Sequence, residues 1–168
     1  MMPEIRFELL SPAQSERVAP RLFGILESNM ERIAPTGLGH EENYAVWFPA
    51  FTEQLRKESR KVVLIYDAEE IIGYFQYSID GDTFFMEEIQ ILPSHQGKYG
   101  VFRSLYGFVL EQLPPVIRFV KAYANKNNKK SIAVLTRLGL SVVGENKSGR
   151  SFLLKGMYAD LVTWYNKT

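Results

Sequence analysis

The sequence predicts an α/β fold: a mixed sheet flanked by helices, formed as one domain by residues 1–168. Three observations predict it. Hydrophobic periods of two and of about 3.6 residues alternate in the order strand, two helices, three strands, helix, strand, helix, two strands. The three central strand stretches are separated only by short polar turns, which is the pattern of an antiparallel meander. The segment from 83 to 124 then runs strand, glycine-bearing turn, helix, strand, the layout of a parallel crossover.

Residues 4–10 (EIRFELL) alternate and predict the first strand. Ser11 reads as an N-cap and Pro12 as a first-turn residue of the helix that follows. Its apolar face is Leu22, Ile25, Leu26, Met30 and Ile33, and APTGLG ends it. A second helix over 41–58 carries Tyr44, Trp47, Phe48, Phe51 and Leu55 in a stripe. Core packing is the plainer reading of that stripe and a substrate-pocket wall the functional one. Pro49 interrupts it and predicts a kink.

Strands are predicted over 61–67, 70–80 and 83–92, separated by DAEE and DGD. PSHQGKYG leads into a helix over 99–112 with Phe102, Leu105, Tyr106, Val109 and Leu113 on one side, ended by Pro114 and Pro115. A strand over 116–124 precedes NKNNKKSIAVLTRLGL, where Ile132, Leu135 and Leu138 recur at helical spacing and Gly139 stops the helix. LSVVGE and SFLLKG form a final strand pair around Ser148 and Gly149, and the tail MYADLVTWYNKT extends the last strand or forms a short helix.

Composition excludes several function classes. A length of 168 residues suits a single hydrophobic core, and 46% apolar with 23% charged residues is ordinary for a soluble protein. With a net charge of +1, no overall field draws nucleic acid or an anionic membrane. The absence of cysteine removes disulfides, thiol nucleophiles and thiolate zinc sites. His40 and His95 lack metal-ligand spacing, so no metal is expected. The N-terminus has no signal-peptide pattern, and no run approaches the roughly 18 apolar residues of a membrane span, so the expected location is the cytoplasm.

Two segments carry chemistry. In PSHQGKYG a strand passes through glycines to a helix N-terminus, where backbone N–H groups and the helix dipole favour an anion such as a pyrophosphate. Gly97 and Gly100 let a ligand approach the backbone, and Lys98 adds charge. In N128-K-K-S-I-A-V-L-T-R-L-G139-L, Asn128 caps an amphipathic helix that a glycine stops. Each segment alone is equally well read as a structural turn or cap.

Together, in this order, they resemble the GNAT superfamily of acetyl-coenzyme A-dependent N-acetyltransferases. That family carries a V-x-P-like turn into Q/R-x-x-G-x-G/A, and later N-x-x-A/S-x-x-L-Y-x-K/R-x-G-F. The corresponding runs here are I91-L-P-S-H-Q96-G-K-Y-G-V101 and N128-K-K-S131-I-A-V134-L135-T-R137-L-G139-L140. The likeness covers residues 60–155. It departs at Tyr99 and Val101, which stand where glycine and glycine or alanine are expected, so Gly97 and Gly100 would serve through a shifted loop. It departs again at Leu135, where many members have a tyrosine that protonates the leaving thiolate; Tyr99, Tyr106 and Tyr123 are the other tyrosines near these segments.

The resemblance implies acetyl-coenzyme A as co-substrate and a primary amine, on a small molecule or a peptide, as acceptor. It implies binding of the coenzyme by Ile89, Ile91, Gln96, Gly97, Lys98, Tyr99, Gly100, Val101, Asn128 and Ser131, between splayed strands at 83–92 and 116–124. Lys126, Lys129 and Lys130 are either a solvated helix start or contacts to the 3′-phosphate. Glu87 and Glu88 are candidate general bases, and a solvent-exposed or salt-bridged glutamate is the plainer reading of either. Because neighbouring strand residues face opposite sides, one of the two at most faces the cleft, and Glu87 shares the face of Ile89 and Ile91. His95 reads as a surface loop histidine. His40, Tyr44 and Trp47 lie where the family builds its acceptor pocket. A non-catalytic acetyl-coenzyme A-binding or sensor domain is the alternative, distinguished by lack of turnover, and an unrelated α/β binding domain would not bind the coenzyme. Exposed strand edges would support a homodimer.

Overall fold

The computed structural model of the protein describes residues 2–167. Along the chain these form β1 (Ile5–Leu9), α1 (Ser15–Met30), α2 (His40–Leu55), β2 (Arg60–Asp67), β3 (Glu70–Asp80), β4 (Thr83–Ile91), α3 (Val101–Gln112), β5 (Phe119–Asn125), α4 (Lys129–Arg137), β6 (Ser141–Glu145), β7 (Ser151–Met157) and α5 (Tyr158–Asn166). The strands make one sheet in the order β1-β2-β3-β4-β5-β7-β6. Neighbours are antiparallel except β4 and β5, which are parallel across the α3 crossover. The predicted meander and crossover are both present, and the tail is the helix α5, not an extended strand.

Alternation in the strands sorts two cores onto two faces. Val62 and Leu64 of β2 and Tyr74 of β3 meet Leu22 of α1 and Phe51 and Leu55 of α2. Val63, Ile65, Phe75, Phe84 and Met86 face the other way, onto Leu105, Tyr106 and Val109 of α3, with Leu138 just past α4 and Leu161 of α5 completing that layer. Because both faces of β2 are covered, its sequence is a continuous apolar run.

Several boundaries differ from expectation. Ser11 makes no side-chain cap, and Pro12–Gln14 form a separate 3-10 turn whose Pro12 carbonyl accepts the Ser15 hydroxyl at 2.8 Å. α1 therefore begins at Ser15 and Ile33 lies beyond its end. α2 runs on through Pro49 as one helix. α3 starts only at Val101, because Tyr99 (φ 60°) and Gly100 (φ 65°) are left-handed and cannot belong to a right-handed helix.

One irregularity shapes the middle of the sheet. β4 pairs with β5 only from Thr83↔Phe119 to Met86↔Ala122. Beyond that point β4 stays with β3 as far as Ile91, and β5 stays with β7 as far as Asn125. The two central strands diverge, as the resemblance implies, leaving a wedge-shaped gap.

Candidate functional site

Where the strands part, β4 carries a β-bulge. Gln76 pairs with Glu88 and Tyr77 with Met86, leaving Glu87 as the extra residue. The extra residue resets the alternation. Met86 and Ile89 both face the α3 layer, while Glu87 and Glu88 both line the cleft on the opposite side. The expectation that one glutamate at most reaches the cleft, with Glu87 on the face of Ile89 and Ile91, is thus corrected.

The two carboxylates differ in state. Arg60 grips Glu87 in a two-pronged ion pair, Nε donating to Oε1 at 2.6 Å and Nη2 to Oε2, with the two side chains only 14% and 11% exposed. Such a pair occupies both oxygens of Glu87. Glu88 instead accepts a hydrogen bond from the Gln90 amide, whose own oxygen accepts from Asn29 at 2.9 Å. Desolvation raises the Glu88 carboxyl above its ordinary 4.5; the Gln90 bond partly opposes this and the Glu87 charge adds to it.

The cleft has a volume of about 310 Å³, the small end of the range for small-molecule sites. Trp47, Phe51 and Gln54 of α2 form one wall, and Tyr74, Gln76 and Phe85 of the sheet form the other. Gln76 donates to Gln54 at 3.2 Å and ties the walls together. The Tyr74 hydroxyl is buried without a hydrogen-bond partner among the described residues, and burial, with the Glu88 charge, pushes its pKa well up. An unpaired buried hydroxyl is costly and is satisfied when a polar ligand group enters.

On the gap side, the Leu92 N–H bonds back to Ile72 of β3, so strand alternation turns the backbone groups of Ile89 and Ile91 toward β5. The Ile91 carbonyl is already taken, by Asn29 at 2.9 Å and Gln96 at 2.7 Å. Ile89 N–H and C=O and Ile91 N–H lie beyond the last β4–β5 register pair and face the gap.

The loop continues this surface. Gly97, Tyr99 and Gly100 all have φ between 60° and 66°. Tyr99 thus adopts the conformation for which the family uses glycine, and both glycines are open to ligand approach, with no atom within 4 Å of where a Cβ would stand. Ser104 N–H bonds to the Gly100 carbonyl and Val101 N–H to Lys98, so the N–H groups of Phe102 and Arg103 find no backbone acceptor among the described residues. Gln96 also accepts from Lys130 at 2.9 Å, which joins the loop to the start of α4. There Asn128 caps the helix, accepting from Ser131 N–H at 3.1 Å. Free N–H groups, left-handed loop backbone and lysines fit a phosphate-bearing, extended ligand laid along the gap.

The remaining candidates fall into place around this frame. Trp47 lines the cleft. His40 and Tyr44 pack against Phe23 of α1, and His40 Nδ1 meets Glu27 at 2.6 Å. His95 is not a free surface histidine: Nε2 meets Asp67 at 2.9 Å and Nδ1 meets Ser94 at 2.8 Å, anchoring the loop to β2. Leu135 is buried in the core at 6% exposure. Tyr106 is sealed in the same core and donates to the Met86 sulfur. Tyr99 is exposed on the loop, and Tyr123 is the first β5 residue beyond the strand separation. Sequence reasoning missed Arg60, Asn29, Tyr74, Gln76 and Gln90. Only Tyr74 and Gln76 left a signal, as alternate residues on one face of a predicted strand.

Residues 25–140 match the model of the acetyltransferase (GNAT) family. No curated protein matches the chain in sequence. Among solved structures, an acetyltransferase from Thermus thermophilus superposes with a TM-score of 0.72 at 16% identity, over 94% of this chain and 99% of that one. The PaiA N-acetyltransferase from Thermoplasma acidophilum, in complex with coenzyme A, gives 0.68 at 12% identity over 92% and 99%. A spermidine N-acetyltransferase SpeG chimera from Vibrio cholerae and hSSAT gives 0.63 at 14% identity over 97% and 99%. At these identities the likeness is one of fold.

Proposed function

Because the chain belongs to the acetyltransferase (GNAT) family, we propose that it transfers an acetyl group from acetyl-coenzyme A to a small primary amine by direct attack. The observation that carries this reading is Glu88: a half-buried carboxyl with a raised pKa, on the cleft wall beside the strand gap. A base tuned upward by desolvation is suited to accept a proton near neutrality. Acetyl-coenzyme A supplies the acetyl group already activated as a thioester.

The chain's residues divide the remaining work. The Phe102 and Arg103 N–H groups and the Gly97–Gly100 backbone, with Lys98, hold the pyrophosphate. Lys126, Lys129 and Lys130, near the Asn128–Ser131 cap, offer charge to the 3′-phosphate. Free backbone groups of Ile89 and Ile91 take the pantetheine amides, and an N–H there polarises the thioester carbonyl. Glu88 accepts the amine proton, while Glu87, held by Arg60, fixes the bulge. Tyr123 replaces the missing tyrosine of α4 and protonates the leaving thiolate. The burial of Leu135 favours a second reading, a coenzyme A sensor without turnover.

Calorimetric titration with acetyl-coenzyme A, paired with amine-dependent release of free thiol, tests both. The wild type is expected to bind saturably and turn over, Gly100→Glu to lose binding, and Glu88→Gln to bind while losing turnover. Binding without turnover for any amine would leave the sensor; no binding by folded wild type would sink both.

A further inference from the structure

Beyond the cleft, the sheet face that α1 and α2 cover over β2–β4 continues onto β5 and β7, where it is open. Val120, Ala122 and Ala124 of β5 are buried on the α3 side, so Phe119, Lys121 and Tyr123 point the other way. Phe119 and Tyr123 are 38% and 39% exposed there, and Met157, the β7 partner of Phe119, is 47% exposed.

Within this face lies an uncompensated pair of charges. Lys121 is the register partner of Phe85 on one side and of Lys155 on the other. Like charges placed directly across two strands destabilise a sheet. No carboxylate lies within salt-bridge distance of either lysine among the described residues. The Lys121 ammonium is held instead over aromatic rings, 4.6 Å from the centroid of Phe85 and 5.7 Å from that of Tyr123. Phe85 lines the cleft, so this cation stands at its rim.

The charges of the cleft are therefore ordered. Arg60 neutralises Glu87, which leaves Glu88 as the anionic group facing an incoming amine. A second ammonium on the same molecule, reaching outward along β4, would meet two lysines; an anion in that position would be drawn to them. We propose that the acceptor is an amine whose body carries a carboxylate or phosphate about 7 Å from its nitrogen, the span of the two β3 steps from Gln76 to Ser78 that lie opposite Glu88 and Phe85, and that Lys121 and Lys155 bind that group. The proposal rests on the reading of the cleft as the acceptor site.

The test measures kcat/KM by thiol release at saturating acetyl-coenzyme A. Its substrates are ω-amino carboxylates of increasing length, their carboxamides, aminoalkyl phosphates and α,ω-diamines of matched length. The anionic amines are expected to exceed the carboxamides at least tenfold at the best length, and diamines to be the poorest. The carboxylate and phosphate arms identify which anion is preferred. In a Lys121→Gln/Lys155→Gln variant with wild-type melting behaviour, the ratio of anionic to neutral substrate should fall toward one, and Lys155→Glu should shift preference toward diamines. Added salt should raise KM for the anionic amines more than for the carboxamides. Turnover of carboxamides as good as that of the anionic amines, or a preference that survives the double variant, overturns the subsite while acetyl transfer stands. Absence of turnover with every amine overturns the acetyl-transfer reading and this proposal with it.

Discussion

Neighbouring glutamates on one strand hold opposite roles because their surroundings differ by one guanidinium. Removing Arg60 strands the Glu87 charge in a mostly buried position, which typically costs about 3 kcal/mol. Arg60→Met is therefore expected to lower the urea midpoint by a corresponding amount, and Arg60→Met/Glu87→Leu to recover most of it. Glu88 behaves in the reverse sense. Its native pKa is raised, so the folded protein holds this proton to higher pH than the unfolded chain does. Its contribution to stability is full below about the unfolded value of 4.5 and is lost as pH rises through the native value. Glu88→Gln should then melt higher than wild type at pH 8, with the gap narrowing as pH falls toward 4.5. The same substitution should lower kcat/KM roughly 10²–10⁴-fold and abolish the acidic limb of its pH profile.

At the scale of elements, the loop before α3 and the bulge in β4 are where regular structure is given up. Gly100 occupies a left-handed conformation with open space around it, so a methyl group meets no clash and only the backbone preference of about 1 kcal/mol is lost. Gly100→Ala is expected to melt slightly lower yet still bind acetyl-coenzyme A within a few-fold, which calorimetry checks. That contrast assigns the loss in Gly100→Glu to the added side chain and charge. Regular parts of these elements were legible in the sequence: the strands β2 to β4, and the capped and glycine-stopped α4, carry their periods openly. The bulge was not, because one inserted residue leaves TFFMEEIQI looking like an ordinary strand while reversing the side to which Glu87 points. The start of α1 was misread because Pro12 suits a 3-10 turn as well as a first helical turn. Arg60 and Asn29 were invisible as site residues, since their partners lie 27 and 62 positions away and are chosen by sheet register.

For the molecule as a whole, the sheet separates two tasks. The groups proposed to meet the coenzyme gather along the gap, the α3 loop and the α4 start, joined by the Lys130–Gln96 contact, while those proposed to meet the acceptor gather under α1 and α2. The family match ends at residue 140, before β6 and β7, yet β7 pairs with β5 along its whole length and supplies the Lys155 of the open face. Among the described residues, no helix is long and apolar enough to cross a membrane.

Asp67 links the loop to the far edge of the sheet. Its Oδ2 meets His95 at 2.9 Å and its Oδ1 accepts the Glu4 N–H at 3.0 Å, just ahead of β1. The bond from His95 lowers the Asp67 carboxyl from its ordinary value, which favours the ionised form that makes this link. A ligand that steadies the loop should therefore slow amide hydrogen exchange at Glu4, far from the acetyl group being moved. Exchange at that amide becomes a gauge of coenzyme occupancy, readable with no acceptor in hand, and Asp67→Ala should blunt it.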